Sequence, residues 1–176
     1  MNQLNTSPNQ PLYLYQMPMF KLTVSVVLII ENGVVVVEKK KAVRQNDSEV
    51  WVLGGIEDCC FPSGVVKAGQ ETIQFAAVRI VKEQTGIVLK KALLIPVDFR
   101  SSPERSKEGN EVDLGFVCIL ENVQPNCNLS GNARWIEVDF EEKQLLKNGQ
   151  NINFSLYMDH GTLLQRAIDM SLMIKL

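Results

Sequence analysis

Two runs of extended-chain formers, Leu22–Ile30 (LTVSVVLII) and Val34–Val37, stand on either side of Glu31-Asn32-Gly33. β-branched side chains favour strands. Asn-Gly favours the tight type I′ turn that joins antiparallel neighbours. The spacing therefore predicts a hairpin from Leu22 to Lys39. Both runs are nearly continuous rather than alternating, so at least one strand should be buried on both faces. Such a strand needs packed layers above and below it. The same run is broken by Glu31-Asn32-Gly33 and is too short to cross a bilayer, which argues against a membrane partner.

The rest of the chain supplies candidate layers. Residues 1–20 are rich in Asn, Gln and Pro and read as an irregular arm, with Leu12, Tyr13 and Tyr15 available for packing. The remainder, 21–176, suits one domain. Ala42–Glu49 is polar and reads as a loop, Val50–Leu53 as a short strand, and Gly54–Gly64 as irregular. From Glu71 to Gln84 the period becomes helical through Ile73, Ala76, Ala77, Ile80 and Val81, with Gly86 placed as a C-cap. Strands are expected at Ala92–Phe99, Glu111–Leu120 and Ala133–Val138, and a helical turn at Asp139–Leu146. A final helix carries Leu163, Leu164, Ala167, Ile168 and Leu172 on one face behind an Asp159 N-cap. This order implies an α/β (α+β) fold, a mixed sheet with helices packed on its faces.

Composition narrows the partners. The net charge is -2, so there is no electrostatic footprint for nucleic acid. Lys39, Lys40 and Lys41 read as a solvated strand end. Cys59, Cys60, Cys118 and Cys127 form no C-x-x-C pair and no zinc spacing, and no secretory leader precedes them. A reduced, cytoplasmic compartment is expected.

Within this frame, Gly64–Ile87 resembles the Nudix box of the Nudix hydrolases, whose pattern is Gly, five residues, Glu, seven residues, Arg-Glu-apolar-x-Glu-Glu-x-Gly-apolar. Glu71, Arg79, Val81, Glu83, Gly86 and Ile87 fall in register. Gly64 stands one residue too far from Glu71. Trp51-Val52-Leu53 is similar to the Trp-x-Leu that leads into the box glycines, with about nine residues inserted. ARWIEVDF, PERSKEGNEVDLGFVCIL and YMDHGTLLQRAI are similar to outer segments of ADP-ribose pyrophosphatase-like members. The likeness covers nearly everything after Lys21 and implies a Nudix fold.

The resemblance implies hydrolysis of a nucleoside diphosphate linked to another moiety, an ADP-ribose-like compound or a sugar nucleotide. Mg2+ or Mn2+ would neutralise the developing charge and activate water, held by helix carboxylates. Glu83 matches the first acid of the family's Glu-Glu pair. Ile80 replaces the acid beside the arginine, and Gln84 replaces the last. The box is therefore degenerate and a weakened metal site is expected. Glu83 and Glu71 are the candidate catalytic and metal-binding residues. Each also has a structural reading, Glu83 as an i,i+4 partner of Arg79 and Glu71 as a helix-entry acid reaching Arg79. Gly64, Arg79 and Gly86 would be structural.

Glu111 and Asp113 alternate on one strand face and are candidate supplementary metal ligands; the competing reading is a solvated strand end. Arg100 and Arg105 are candidates for gripping substrate phosphate. His160 and Cys118 read as packing residues. Two function classes follow: a Nudix diphosphatase, or a catalytically impaired Nudix-like module that binds or senses a nucleotide. Many members pair through their first residues, so the resemblance leaves room for a homodimer.

Overall fold

The structure, a computed structural model, describes residues 21–45, 48–53, 59–101, 111–121, 123, 129–147, 150–151, 156 and 159–174. Its spine is β1 (Lys21–Ile30), buried without a break from Thr23 to Ile30. β1 meets β2 (Gly33–Glu38) as an antiparallel hairpin. The turn differs from expectation. Ile30 pairs with Gly33, so Glu31 and Asn32 form the loop, with Glu31 at φ 54. Gly33 already lies in the strand. A Cβ there would sit 2.4 Å from the Ile136 carbonyl oxygen and 2.5 Å from the Trp135 ring. Glycine is required by the close approach of the next strand, not by the turn.

Around this hairpin stand β3 (Lys40–Gln45), β4 (Ser48–Leu53), β5 (Cys59–Cys60), β6 (Ser63–Val65), β7 (Ile95–Ser101), β8 (Glu111–Leu120), β9 (Ala133–Asp139), β10 (Gln144–Lys147) and β11 (Gln150–Asn151). The main sheet runs β11-β10-β9-β2-β1-β8-β7, with β5 pairing β2 and β6 pairing β1. β1 and β8 are parallel over their full length. β3 and β4 form a separate two-stranded ribbon; β4 contains the short strand expected at Val50–Leu53, while β3 enters the segment expected to be a polar loop. Polar composition does not exclude strands that lie off the main sheet. The helical turn expected at Asp139–Leu146 is a hairpin bend. Asp139 Oδ1 accepts from the backbone N–H groups of Glu141 and Glu142, as a helix cap would. Lys143 then adopts φ 53 and turns the chain into β10.

Two helices close the faces. α1 (Ile73–Thr85) starts at Thr72, whose hydroxyl accepts from Phe75 N–H, and ends at Gly86 in the left-handed region, φ 79. It buries Ala76, Ala77, Ile80 and Val81 against Val24, Val26, Leu28, Phe116 and Cys118. α2 (His160–Ile174) buries Leu163, Leu164, Ala167 and Ile168 against Val27, Ile29, Val34, Val36 and Val117. Even-numbered residues of β1 thus face α1 and odd-numbered residues face α2, as the two-residue strand period requires. Gly115 lets α2 approach the sheet, since a Cβ there would lie 2.5 Å from Leu163 Cδ1. Among the described residues no helix is long and apolar enough to cross a membrane.

Candidate functional site

β6, the loop after it and α1 form one tightly joined unit. Arg79 on α1 donates from Nε to Glu71 Oε2 at 2.9 Å and from Nη2 to Glu71 Oε1 at 2.6 Å. Lys67 N–H adds a third bond to Glu71 Oε1. Arg79 also reaches the Val65 carbonyl at 3.1 Å and, one turn on, Glu83 Oε2 at 3.1 Å. The Arg79 hydrogen bonds, then that from Lys67 N–H, hold the Glu71 carboxyl down at about 2. Glu71 in turn raises Arg79 above its ordinary value. Both Glu71 oxygens are thus engaged in shaping the loop. Glu83 is exposed, with its side chain 57% accessible, and makes an outer contact with Arg79.

The two positions that lack acids are occupied in specific ways. Ile80 is 2% exposed, and its Cδ1 lies 3.1 Å from where a Gly64 Cβ would stand. Gln84 clamps the Ser63 backbone from both sides. Its Oε1 accepts from Ser63 N–H at 3.1 Å and its Nε2 donates to the Ser63 carbonyl at 2.8 Å. So three consecutive residues of β6 are gripped by α1: Ser63 by Gln84, Gly64 by Ile80, and Val65 by Arg79.

Glu111, Asp113 and Arg100 come together elsewhere, on the face of β1 and β8 that α2 covers. Thr23 Oγ1 donates to Asp113 Oδ1 at 2.8 Å and lies 3.3 Å from Glu111 Oε1. Ser25 also donates to Asp113. Asp113 is 1% exposed and pairs with Arg100. Arg100, itself buried, further meets Asp98 at 3.3 Å and Asp159 at 2.8 Å, and Arg166 pairs with Asp98. Glu111 pairs with Lys21 at 3.5 Å. Arg100, named from sequence as a phosphate contact, is placed here with its guanidinium directed into carboxylates of its own chain. Arg105 lies outside the described residues.

Other side chains hold the two faces in place. His160 Nδ1 accepts from Phe61 N–H at 2.9 Å, and its ring stacks on Phe61 at a 5.6 Å centroid separation. Cys118 is buried and burial pushes its thiol up to about 11. Burial likewise raises the Cys60 thiol and lowers the nearby Lys39 amine.

The donors test the fit of a divalent ion. Among the described residues no group of three His, Cys, Asp or Glu side chains is placed to hold a metal. Ile80 offers no donor, Glu71 is spent on Arg79, and the Gln84 oxygen already accepts from Ser63. Of the box, Glu83 is the carboxylate left facing solvent. This set does not fit a resident ion held by the protein alone.

The sequence does not mark the Asp98–Arg100–Asp113–Asp159–Arg166 network as a unit. Its signal lay in Thr23 and Ser25, two polar residues at alternate positions of an otherwise apolar strand, which must point the same way into something polar. Ser63 was missed because its backbone, not its side chain, is what Gln84 holds.

The NUDIX domain family model matches residues 19–158. No curated protein sequence matches the chain. Several solved structures share the fold. The NUDIX domain of Shewanella oneidensis NrtR, solved with ADP ribose, is 16% identical with a TM-score of 0.58, covering 95% of this chain and 94% of that one. A MutT/nudix family protein from Enterococcus faecalis is 17% identical, TM-score 0.57, covering 91% and 67%. A bifunctional NMN adenylyltransferase/ADP ribose pyrophosphatase from Francisella tularensis, solved with AMP and a Mn ion, is 18% identical, TM-score 0.54, covering 93% and 44%.

Proposed function

The chain belongs to the Nudix domain family, and from that premise we propose that it takes a nucleoside diphosphate linked to a second moiety. An ADP-ribose-like compound or a sugar nucleotide is the ligand class, residues 21–176 form the single binding domain, and the setting is cytoplasmic. The ligand is hydrolysed slowly, and only when Mg2+ or Mn2+ enters on its own phosphates. The observation that carries this is the Glu71–Arg79–Glu83 chain of contacts. The box loop is built and braced, and one carboxylate, Glu83, is left open beside it. An ion shared with the ligand needs few protein donors, as is usual for Mg2+. The ion supplies charge neutralisation at the diphosphate and a more acidic water. Glu71 and Arg79 keep the loop in shape, and Glu83 would be the carboxylate offered to an ion that the ligand brings. The two structures solved with ADP ribose and with AMP and Mn support this ligand class.

A second reading, binding without cleavage, is favoured by Ile80 and Gln84. Both acid positions now serve packing and the Ser63 clamp. One experiment separates the two. Turnover is measured on ADP-ribose, NADH, dinucleoside polyphosphates and sugar nucleotides with Mg2+, Mn2+ or chelator, beside Glu83→Gln. Slow hydrolysis that chelator and Glu83→Gln both abolish is the expected result. No turnover, with a nucleotide still raising Tm, would establish the binding module instead. Neither turnover nor a Tm shift on any compound would discard the ligand class.

A further inference from the structure

We propose that Gln84 and Ile80 form a neutral latch that holds β6, the strand leading into the box loop, against α1 without any metal ion. In its consequence for the ligand the proposal rests on the reading above; the latch itself stands on geometry alone. Ser63 N–H and C=O point to the same side chain, and a primary amide, which carries no charge, can accept from the first and donate to the second at once. Both bonds are made, at 3.1 and 2.8 Å. The neighbouring residue, Gly64, then sits against Ile80 so closely that a Cβ would fall 3.1 to 3.2 Å from two of its carbons. Ile80 is buried with Val24, Ala76 and Ala77 in the core under α1. Arg79 completes the grip at the Val65 carbonyl. β6 is thus tied to the helix by one amide, one apolar contact and one guanidinium.

Gln84 is therefore a positioning residue. A carboxylate in its place could still accept from Ser63 N–H, but its second oxygen would face the Ser63 carbonyl. Two oxygens at that distance repel unless a cation lies between them. A Gln84→Glu protein should thus lose stability and recover it when a divalent cation is supplied. Gln84→Ala should lose both bonds and recover nothing, because it brings no charge for the cation to neutralise. A side chain with a merely structural role would not create a cation response.

The experiment is thermal unfolding of the full chain, without nucleotide, in chelator and in millimolar Mg2+. The wild type should unfold at the same temperature in both. In chelator, Gln84→Ala and Gln84→Glu should each unfold about 2–6 °C lower, the range for one to two lost hydrogen bonds in a chain of this size. Mg2+ should restore at least half of the loss for Gln84→Glu and none for Gln84→Ala. A wild type stabilised by Mg2+ as strongly as Gln84→Glu would overturn the proposal, as would a Gln84→Glu protein indifferent to Mg2+. If Gln84→Glu fails to fold, the other two proteins decide: an unshifted Gln84→Ala or an Mg2+-stabilised wild type sinks the latch. No nucleotide is present, so either outcome leaves the proposed ligand class untouched.

Discussion

Replacing Arg100 by methionine asks what that arginine is for. In the structure it sits among Asp98, Asp113 and Asp159, and Arg166 pairs with Asp98 on the outer side. Two cations against three carboxylates leave this cluster at -1; without Arg100 it stands at -2, with Asp113 1% exposed. Methionine keeps the apolar stem but removes every donor. Breaking a buried pair by taking one partner away costs about 3–5 kcal/mol, because an uncompensated charge is left behind. Set against a total stability of about 5–15 kcal/mol, this is a large share. It corresponds to a Tm lowered by about 6–20 °C in a chain of this length. Urea unfolding followed by circular dichroism reads the change. Adding Asp113→Asn should return part of the loss, because the stranded charge goes with it, and the double-mutant cycle measures how much. A loss under about 1 kcal/mol, coupled to a selective fall in nucleotide affinity, would refute this reasoning. It would mean that Arg100 spends its donors on a ligand phosphate rather than on its own chain.

Three further outcomes follow from individual contacts. Glu71 has its carboxyl lowered from 4.5 to about 2 by Arg79, so its contribution is present above pH 4.5 and is lost as pH falls through about 2. The urea midpoint of the wild type should drop across that window, and Glu71→Gln should flatten the drop. Gly33→Ala would drive a methyl into the Ile136 carbonyl and the Trp135 ring; a loss of about 1–3 kcal/mol or more in urea unfolding is expected, and a neutral result would mean that β9 lies farther from the turn. His160→Ala removes the acceptor for Phe61 N–H and the ring stacked on Phe61, which should cost about 2–4 kcal/mol by calorimetry.

The layers of the fold were readable because they obey simple periods. The unbroken burial of Thr23–Ile30, the helical spacing of Ile73 to Val81 and the Gly86 cap all come from local rules, and the structure follows them. The departures have tertiary causes. Gly33 is fixed by Trp135 and Ile136, more than a hundred residues away in sequence, which no turn rule contains. Asp139 makes the bonds of a helix cap, and only the φ of Lys143 reveals that a strand follows. At the site, the Glu71–Arg79 pairing was legible from the box register. What fills the places of the absent acids was not. A sequence states that Ile80 and Gln84 are not carboxylates; it does not state that one underlies Gly64 and the other clasps Ser63. Glu111 and Asp113 do share a strand face, as alternation requires, but the parity of β1 turns that face toward α2 rather than α1.

The proposed function turns on a box whose loop is braced without a resident ion. Titration calorimetry with ADP-ribose, once in chelator and once in Mg2+, tests it most directly. Binding of similar strength is expected in both, with slow heat of hydrolysis in Mg2+ alone. Binding that vanishes in chelator would contradict it, because the braced loop would then not suffice to hold the ligand without an ion.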